Sequence, residues 1–307
     1  MEKNWFFIIN PKAGNGDFEK VWREIEGLAL AQGIAYEAHF TTAQNDGCNK
    51  VKECIARGYR NFIVMGGDGT INEVVNGFFG QSEVLPEQLS MGLISQGTGN
   101  DWGRYYQHTS NPAQAFENII SRKSKQQDVG VITHSINGER KTSYFANIAG
   151  FGFDAQVVKS TNKMMARGRR KKSAYLINLL KCLINNKYLN ASIQTDSNSI
   201  TGEIFSISIG NGRYSGGGMM QTPYAIIDDG LLDITIYHRI PKLRVIKNVN
   251  RLYNGSIEKV KGVSCYRSTK VKISFTEEAF AETDGEIIGD SPYEISILPG
   301  ALKVYGV

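Results

Sequence analysis

The apolar run Phe62-Ile63-Val64-Met65 breaks into Gly66-Gly67-Asp68-Gly69-Thr70 and continues as a helix-like segment from Ile71 to Phe79. A buried strand that ends in glycines and opens a helix leaves unpaired backbone N–H groups and a positive dipole end, with no Cβ in the way. Such a turn seats phosphate. Asp68 at its centre repels bare phosphate but suits phosphate that arrives with a cation, so the stretch reads as a metal–nucleotide site. A glycine turn after a strand is weak evidence by itself, because many are only tight turns. Two further loops add weight: Asn10-Pro11-Lys12-Ala13-Gly14 after Trp5 to Ile9, and Gly97-Thr98-Gly99-Asn100-Asp101 after Met91 to Ile94. Lys12 has two readings, a neutraliser of phosphate charge or a solvated loop lysine.

A second acidic stretch, Asp284-Gly285-Glu286, follows the strand-like run Ala279 to Thr283. Its glycine allows a sharp turn that sets two carboxylates close together. Standing alone, Asp-Gly is equally a common hairpin turn. His39, His108, His134 and His238 show no ligand spacing and read as structural; Cys48, Cys54, Cys182 and Cys265 form no Cys-x-x-Cys pair and read as reduced thiols.

The elements that must position these residues alternate in the first half. Trp5 to Ile9 is a buried strand, and Asp17 to Gln32 a helix with Asp17 as N-cap and Phe18, Val21, Trp22, Ile25, Leu28 and Ala29 on one face. Ala35 to Thr41, Phe62 to Met65 and Met91 to Ile94 are further strands, and 47–57, 71–79 and 112–123 further helices. Alternation implies a parallel sheet, whose ligands sit outside the carboxyl ends of the strands, so the three loops are expected to line one crevice. From about Asp128 short strands dominate: 129–133, 142–149, 189–195, 204–210, 231–237, 269–275, 279–283 and 293–298. That spacing indicates a β-sandwich or barrel, interrupted by helices at 173–183 and 243–252. The expected organisation is an α/β Rossmann-like nucleotide-binding domain over 1–128 and a β-rich substrate domain over 129–307, with the last strand, about 300–307, returning to the first.

Taken together, the three first-half loops resemble the diacylglycerol kinase catalytic-domain family, which includes bacterial lipid kinases and sphingosine and ceramide kinases. The resemblance continues through Gly210-Asn211-Gly212, Gly216-Gly217-Gly218, Thr222-Pro223, Asp228-Asp229-Gly230-Leu231-Leu232-Asp233 and Thr283-Asp284-Gly285-Glu286. NAD kinases share the Gly-Gly-Asp-Gly element, but not this combination. The resemblance implies an ATP- and Mg2+-dependent lipid kinase acting on diacylglycerol or a related long-chain or sphingoid lipid. It implies nucleotide contacts at Asn10, Pro11, Lys12, Ala13, Gly14, Gly66, Gly67, Asp68, Gly69, Thr70, Ile71, Asn72, Thr98, Asn100 and Asp101, and at either Thr41 or Thr42. Glu286 becomes the general base, Asp68 the partner of the catalytic magnesium, and Asp284 a member of the same network. A second, structural magnesium is implied at Asp229, with backbone carbonyls from Ile226 and Leu231. The rival readings are an NAD kinase and a non-catalytic nucleotide- or lipid-binding regulator.

Composition agrees with an ordinary globular chain: 307 residues, 41% apolar and 21% charged. The net charge of +5, from 35 basic and 30 acidic residues, is too small to argue for nucleic acid. With no apolar leader and no long apolar run, the chain is expected to be cytoplasmic. Basic residues Arg167 to Lys172 beside Tyr175-Leu176-Ile177-Asn178-Leu179-Leu180 make the 167–184 region the expected peripheral contact with a membrane that carries the lipid substrate. An edge strand of the second domain offers pairing in a homodimer.

Overall fold

Trp5 to Ile9, Phe62 to Met65 and Met91 to Ile94 carry almost only apolar side chains, as strands covered on both faces require. In the computed structural model, which describes residues 3–14, 18–166 and 172–307, they are the centre of a parallel sheet. The chain runs β1 (Lys3–Ile9), α1 (Phe18–Ala31), β2 (Tyr36–Phe40), α2 (Asp46–Ala56), β3 (Tyr59–Gly66), α3 (Asp68–Phe79), β4 (Ser90–Ser95), α4 (Asp101–Tyr105) and α5 (Pro112–Ile120). It continues through β5 (Ser124–Ile136), β6 (Glu139–Phe145), β7 (Ile148–Gly152), α6 (Phe153–Ala166), α7 (Lys172–Asn185), β8 (Leu189–Thr195) and β9 (Ser199–Gly210). The short β10 (Tyr214–Ser215) and β11 (Met219–Met220) precede β12 (Leu232–His238), α8 (Lys242–Tyr253), β13 (Val263–Ser268), β14 (Lys270–Phe275), β15 (Ala281–Thr283), β16 (Glu286–Ile287) and β17 (Asp290–Tyr305).

Two compact units result: 1–129 with 216–218 and 298–307, and 130–215 with 219–297. In the first, the parallel order is β17-β4-β3-β1-β2, with Lys303 to Tyr305 of β17 against Ser90 to Gly92 of β4. Its core joins Phe7, Ile9, Ile63, Met65 and Ile94 to Ile25 and Ala29 of α1 and to Phe116 and Ile119 of α5. Phe7 meets Trp22 and Tyr36 edge-on, at ring separations of 5.3 and 5.5 Å, which fixes α1 on the sheet beyond simple burial.

The second unit is antiparallel. β9 changes partner along its length: β8 lies against Ser199 to Ile204, β7 against Ser206 to Gly210, and β12 against Ile204 to Gly210. Inward residues of these strands, among them Phe151, Ile193, Ile207, Ile234 and Ile273, close over Tyr293 in one fully buried core.

Several elements differ from the sequence reading. The run 142–149 is two strands, β6 and β7, separated at Ala146-Asn147. Helix α6 and strand β13 lack a clear sequence signal and were not expected; α6 packs beside α7, with Ser160 Oγ 2.6 Å from Asn178 Oδ1. The strand read as 293–298 extends through Pro299-Gly300 to Tyr305. The Pro-Gly pair looks like a stop, but Gly300 takes φ +59° and its N–H is held by Asp128 Oδ1 at 2.6 Å, so the strand bends and continues. Asp17, read as the N-cap of α1, and the basic residues Arg167 to Lys171 lie outside the described residues.

Candidate active site

In the first unit the loops after β1, β2, β3 and β4 meet at one end of the sheet, because parallel strands place all their carboxyl ends together. Asn10 donates from Nδ2 to Thr70 Oγ1 at 3.3 Å, joining the first loop to the start of α3. Its Oδ1 accepts the Lys12 N–H, which shapes the turn as an Asx turn does. Lys12 is exposed and its Nζ donates to the Thr42 carbonyl at 3.2 Å. Thr41 is buried against β1 through its N–H to the Ile9 carbonyl, whereas Thr42 stands at the surface with its hydroxyl 3.0 Å from Asp46 Oδ2. Lys12 thus meets the chain at Thr42, the exposed one of the two threonines.

The glycines bring the backbones into contact. A Cβ on Gly97 would lie 2.6 Å from Gly67 Cα, and one on Gly14 would lie 2.0 Å from the Gln96 carbonyl oxygen. The first amides of α3, at Asp68 and Gly69, have no acceptor inside the helix and point out of its N-terminus. The side chains of Thr70 and Asn72 turn into the protein, both buried, while Thr98 stays exposed.

Asp68 does something the sequence did not indicate. Its two oxygens accept the N–H groups of Asp101 and Trp102, at 3.1 and 3.0 Å, so it caps α4 from outside. Asp101, nearly buried, in turn accepts the N–H groups of Gly217 and Gly218 at 2.7 and 2.6 Å. Its carboxyl is raised above the usual range, first by burial and then by the neighbouring Asp68 charge. Asn100, at φ +50°, holds the Gly97 carbonyl through Nδ2 and leaves Oδ1 buried with no partner.

These features fit a divalent cation. Two adjacent carboxylates, one of them destabilised by the other's charge, with an unused acceptor beside them, form the kind of small oxygen donor set that magnesium completes with water and phosphate. Among the described residues no group of three or more His, Cys, Asp or Glu gathers as a metal site. At Asp229 the protein supplies its own cation: Arg267 pairs with Asp229 Oδ2 and, at 3.1 Å, with Asp233, while Asp229 Oδ1 accepts the Leu231 N–H.

In the second unit, Asp284 and Gly285 are the corner of the β15–β16 hairpin, at φ +48° and +91°. This is the two-residue turn whose left-handed pair favours Asp-Gly. Asp284 reaches back to the break between β6 and β7. Its Oδ2 accepts the Ala146 N–H at 2.8 Å, and its Oδ1 accepts those of Asn147 and Ile148 at 3.1 and 2.9 Å. Its own N–H donates to the Ile148 carbonyl. Asp284 is thus a clasp on backbone, holding three consecutive amides. Glu286 follows across the turn from Thr283, partly exposed. The clasp and the hairpin fix where its backbone emerges.

Beneath the turn lies a carboxylate pair that sequence reasoning missed. Glu282 is buried, and its Oε2 accepts the Gly285 N–H at 2.7 Å. Asp154 opens α6 with Oδ1 3.2 Å from Gln221 Nε2 and with Oδ2 shielded from solvent and unpartnered. Both acids approach Gly150, where a Cβ would meet Glu282 Oε1 at 2.5 Å and Asp154 Oδ2 at 2.6 Å. Burial, and for Glu282 the Asp154 charge after it, raises both carboxyls. The sequence signal available was Gly150 itself, a small residue at a position facing an acid on the next strand.

Comparison with known proteins finds two family domains in the chain. The diacylglycerol kinase catalytic domain covers residues 4–132, and the YegS C-terminal NAD kinase beta sandwich-like domain covers 147–306. The chain belongs to the diacylglycerol kinase catalytic-domain family, among its YegS-like lipid kinases. A protein of Xanthomonas campestris pv. campestris named "Probable lipid kinase YegS-like" is 32% identical over 76% of this chain and 73% of its own. One of the same name from Xanthomonas oryzae pv. oryzae is 29% identical over 98% of this chain and 96% of its own. A solved diacylglycerol kinase structure from Bacillus anthracis str. Sterne shares the fold, with a TM-score of 0.70, 23% identity, and coverage of 98% of this chain and 96% of that chain.

Proposed function

We propose that this lipid kinase transfers the γ-phosphate of ATP, with magnesium, to the hydroxyl of diacylglycerol or of a related long-chain or sphingoid lipid. The observation that supports it most is the meeting of the Asn10, Gly67 and Asn100 loops at the carboxyl ends of β1, β3 and β4. Backbone N–H groups at the start of α3 cradle the phosphates, and Lys12 balances their charge from the edge of the loop. Magnesium bound with the nucleotide supplies charge neutralisation on the transferring phosphoryl group. Glu286 takes the proton from the lipid hydroxyl, and Asp284 and Glu282 hold the turn that carries it. A structural magnesium at Ile226, Asp229 and Leu231 is a separate proposal, since it would share Asp229 with Arg267.

The test is incubation of the purified protein with ATP, magnesium and a total lipid extract, followed by mass analysis of the phosphorylated product. A phosphorylated neutral or sphingoid lipid is expected, and Glu286→Gln is expected to lower its rate by about 10²–10⁴-fold. NADP formed from NAD, with no lipid product, would assign the other kinase chemistry. Nucleotide binding with neither product would leave a regulator.

A further inference from the structure

Helix α8 carries Lys242, Arg244, Lys247 and Arg251 and no acidic residue among its 12 residues. At 3.6 residues per turn, Val245, Asn248 and Leu252 fall on its half-buried side. Leu243, Ile246, Val249 and Tyr253 fall on the other side, and they are 73, 50, 38 and 52% exposed. An apolar stripe turned to solvent at helical spacing is a cost to a free protein unless something covers it. Helix α7 also exposes apolar residues at helical spacing. Its Ile177, Leu180 and Ile184 are exposed, and the Lys242 ammonium donates to the Ile184 carbonyl, so the C-terminal end of α7 meets the N-terminal end of α8.

The charge pattern selects the occupant. Among the described residues none of the four α8 cations forms an ion pair; three donate only to carbonyl, hydroxyl or amide oxygens, and Lys247 has no polar contact. Arg244, Lys247 and Arg251 fall around the helix from the stripe, which gives α8 an apolar side and a cationic side as in helices that lie in a bilayer interface. An anionic bilayer satisfies both parts, taking the apolar stripe at the acyl boundary and the cations among the headgroups. We infer that α8, together with the exposed face at the C-terminal end of α7, docks the second unit on the surface of an anionic phospholipid bilayer. This extends the lipid kinase reading, which supplies the reason for the chain to visit such a surface.

The test uses the full chain and sedimentation with vesicles of phosphatidylglycerol and phosphatidylcholine, or of phosphatidylcholine alone. Wild type is expected to partition onto the anionic vesicles and to be released by salt. Leu243→Glu/Ile246→Glu, at exposed positions that leave the core intact, is expected to lower the partition coefficient by about tenfold or more, and Lys247→Glu by about fivefold. Leu85→Glu, at an exposed leucine of the first unit, is expected to partition as wild type does. Thermal unfolding of each variant confirms that it is folded. Unchanged partition of the double variant, absence of wild-type partition, or a wild-type dimer that the double variant splits would each overturn the inference. Turnover on a dispersed short-chain diacylglycerol is expected to be the same in wild type and double variant. If no lipid is phosphorylated at all, the kinase reading fails while the sedimentation still decides the docking.

Discussion

Replacing Asp284 separates a structural role from a chemical one. Its carboxylate accepts N–H groups from Ala146, Asn147 and Ile148, three consecutive residues that are each less than a tenth exposed. Asp284→Ala removes all three acceptors at once. A stranded donor that had been paired with a charged group costs about 1.5–3 kcal/mol, but the break between β6 and β7 can relax and admit water to one or two of the amides. The net loss is then about 3–5 kcal/mol, to which alanine at φ +48° adds roughly 1 kcal/mol of backbone strain. A loss of that size lowers the melting temperature of the second unit by about 10 °C or more. Asp284→Asn keeps one acceptor oxygen and tolerates the left-handed conformation, so its loss is smaller, about 1–2 kcal/mol. Differential scanning calorimetry read beside lipid kinase turnover provides the comparison. Asp284→Ala is expected to lose stability and activity together, whereas Glu286→Gln loses activity with a melting temperature close to wild type. An Asp284→Ala protein that melts with wild type while losing turnover would refute the clasp and return Asp284 to the chemistry.

Two further perturbations follow from the same geometry. Glu282 and Asp154 have carboxyls raised by burial, so the folded state favours their protonated forms; the stability this confers is present below their ordinary values of 4.5 and 3.8 and is lost as pH rises through the raised ones. Glu282→Gln removes that loss and can donate to the unpartnered Asp154 Oδ2, so the variant should melt progressively above wild type from pH 5 to pH 8; equal melting curves across that range would mean the pair is not titrating there. Gly97→Ala places a Cβ 2.6 Å from Gly67 Cα and must push two backbones apart. The expected cost is about 1–3 kcal/mol of overpacking with a raised KM for ATP, and a KM equal to wild type would remove these loops from the nucleotide site.

The first unit was largely legible. Parallel strands buried on both faces read as apolar runs, and the rule that ligands gather at their carboxyl ends needs no side-chain detail, so the sequence located the loops at Asn10, Gly67 and Asn100. What it did not reveal was contact between loops. Asp68 was legible as a carboxylate near phosphate, but its capping of α4 depends on Asp101 and Trp102, more than thirty residues away. The second unit was less legible, because antiparallel strands alternate and bend. Ala146-Asn147 looked like the middle of a strand, and only the reach of Asp284 over 138 residues turns it into a break.

By itself the sequence determined the residues on offer: glycine loops at strand ends, an acidic turn between short strands, and the class of fold that arrays them. Those are properties of residue type and short-range spacing, which local backbone sterics and hydrophobic period encode. Tertiary structure decided which carboxylates hold the backbone and which remain at the surface. Asp284 and Glu286 differ by two positions in the chain, yet one is spent on three buried amides while the other stands across the hairpin at a partly exposed position. Desolvation and hydrogen-bond satisfaction make that distinction, and both depend on what the rest of the chain brings near.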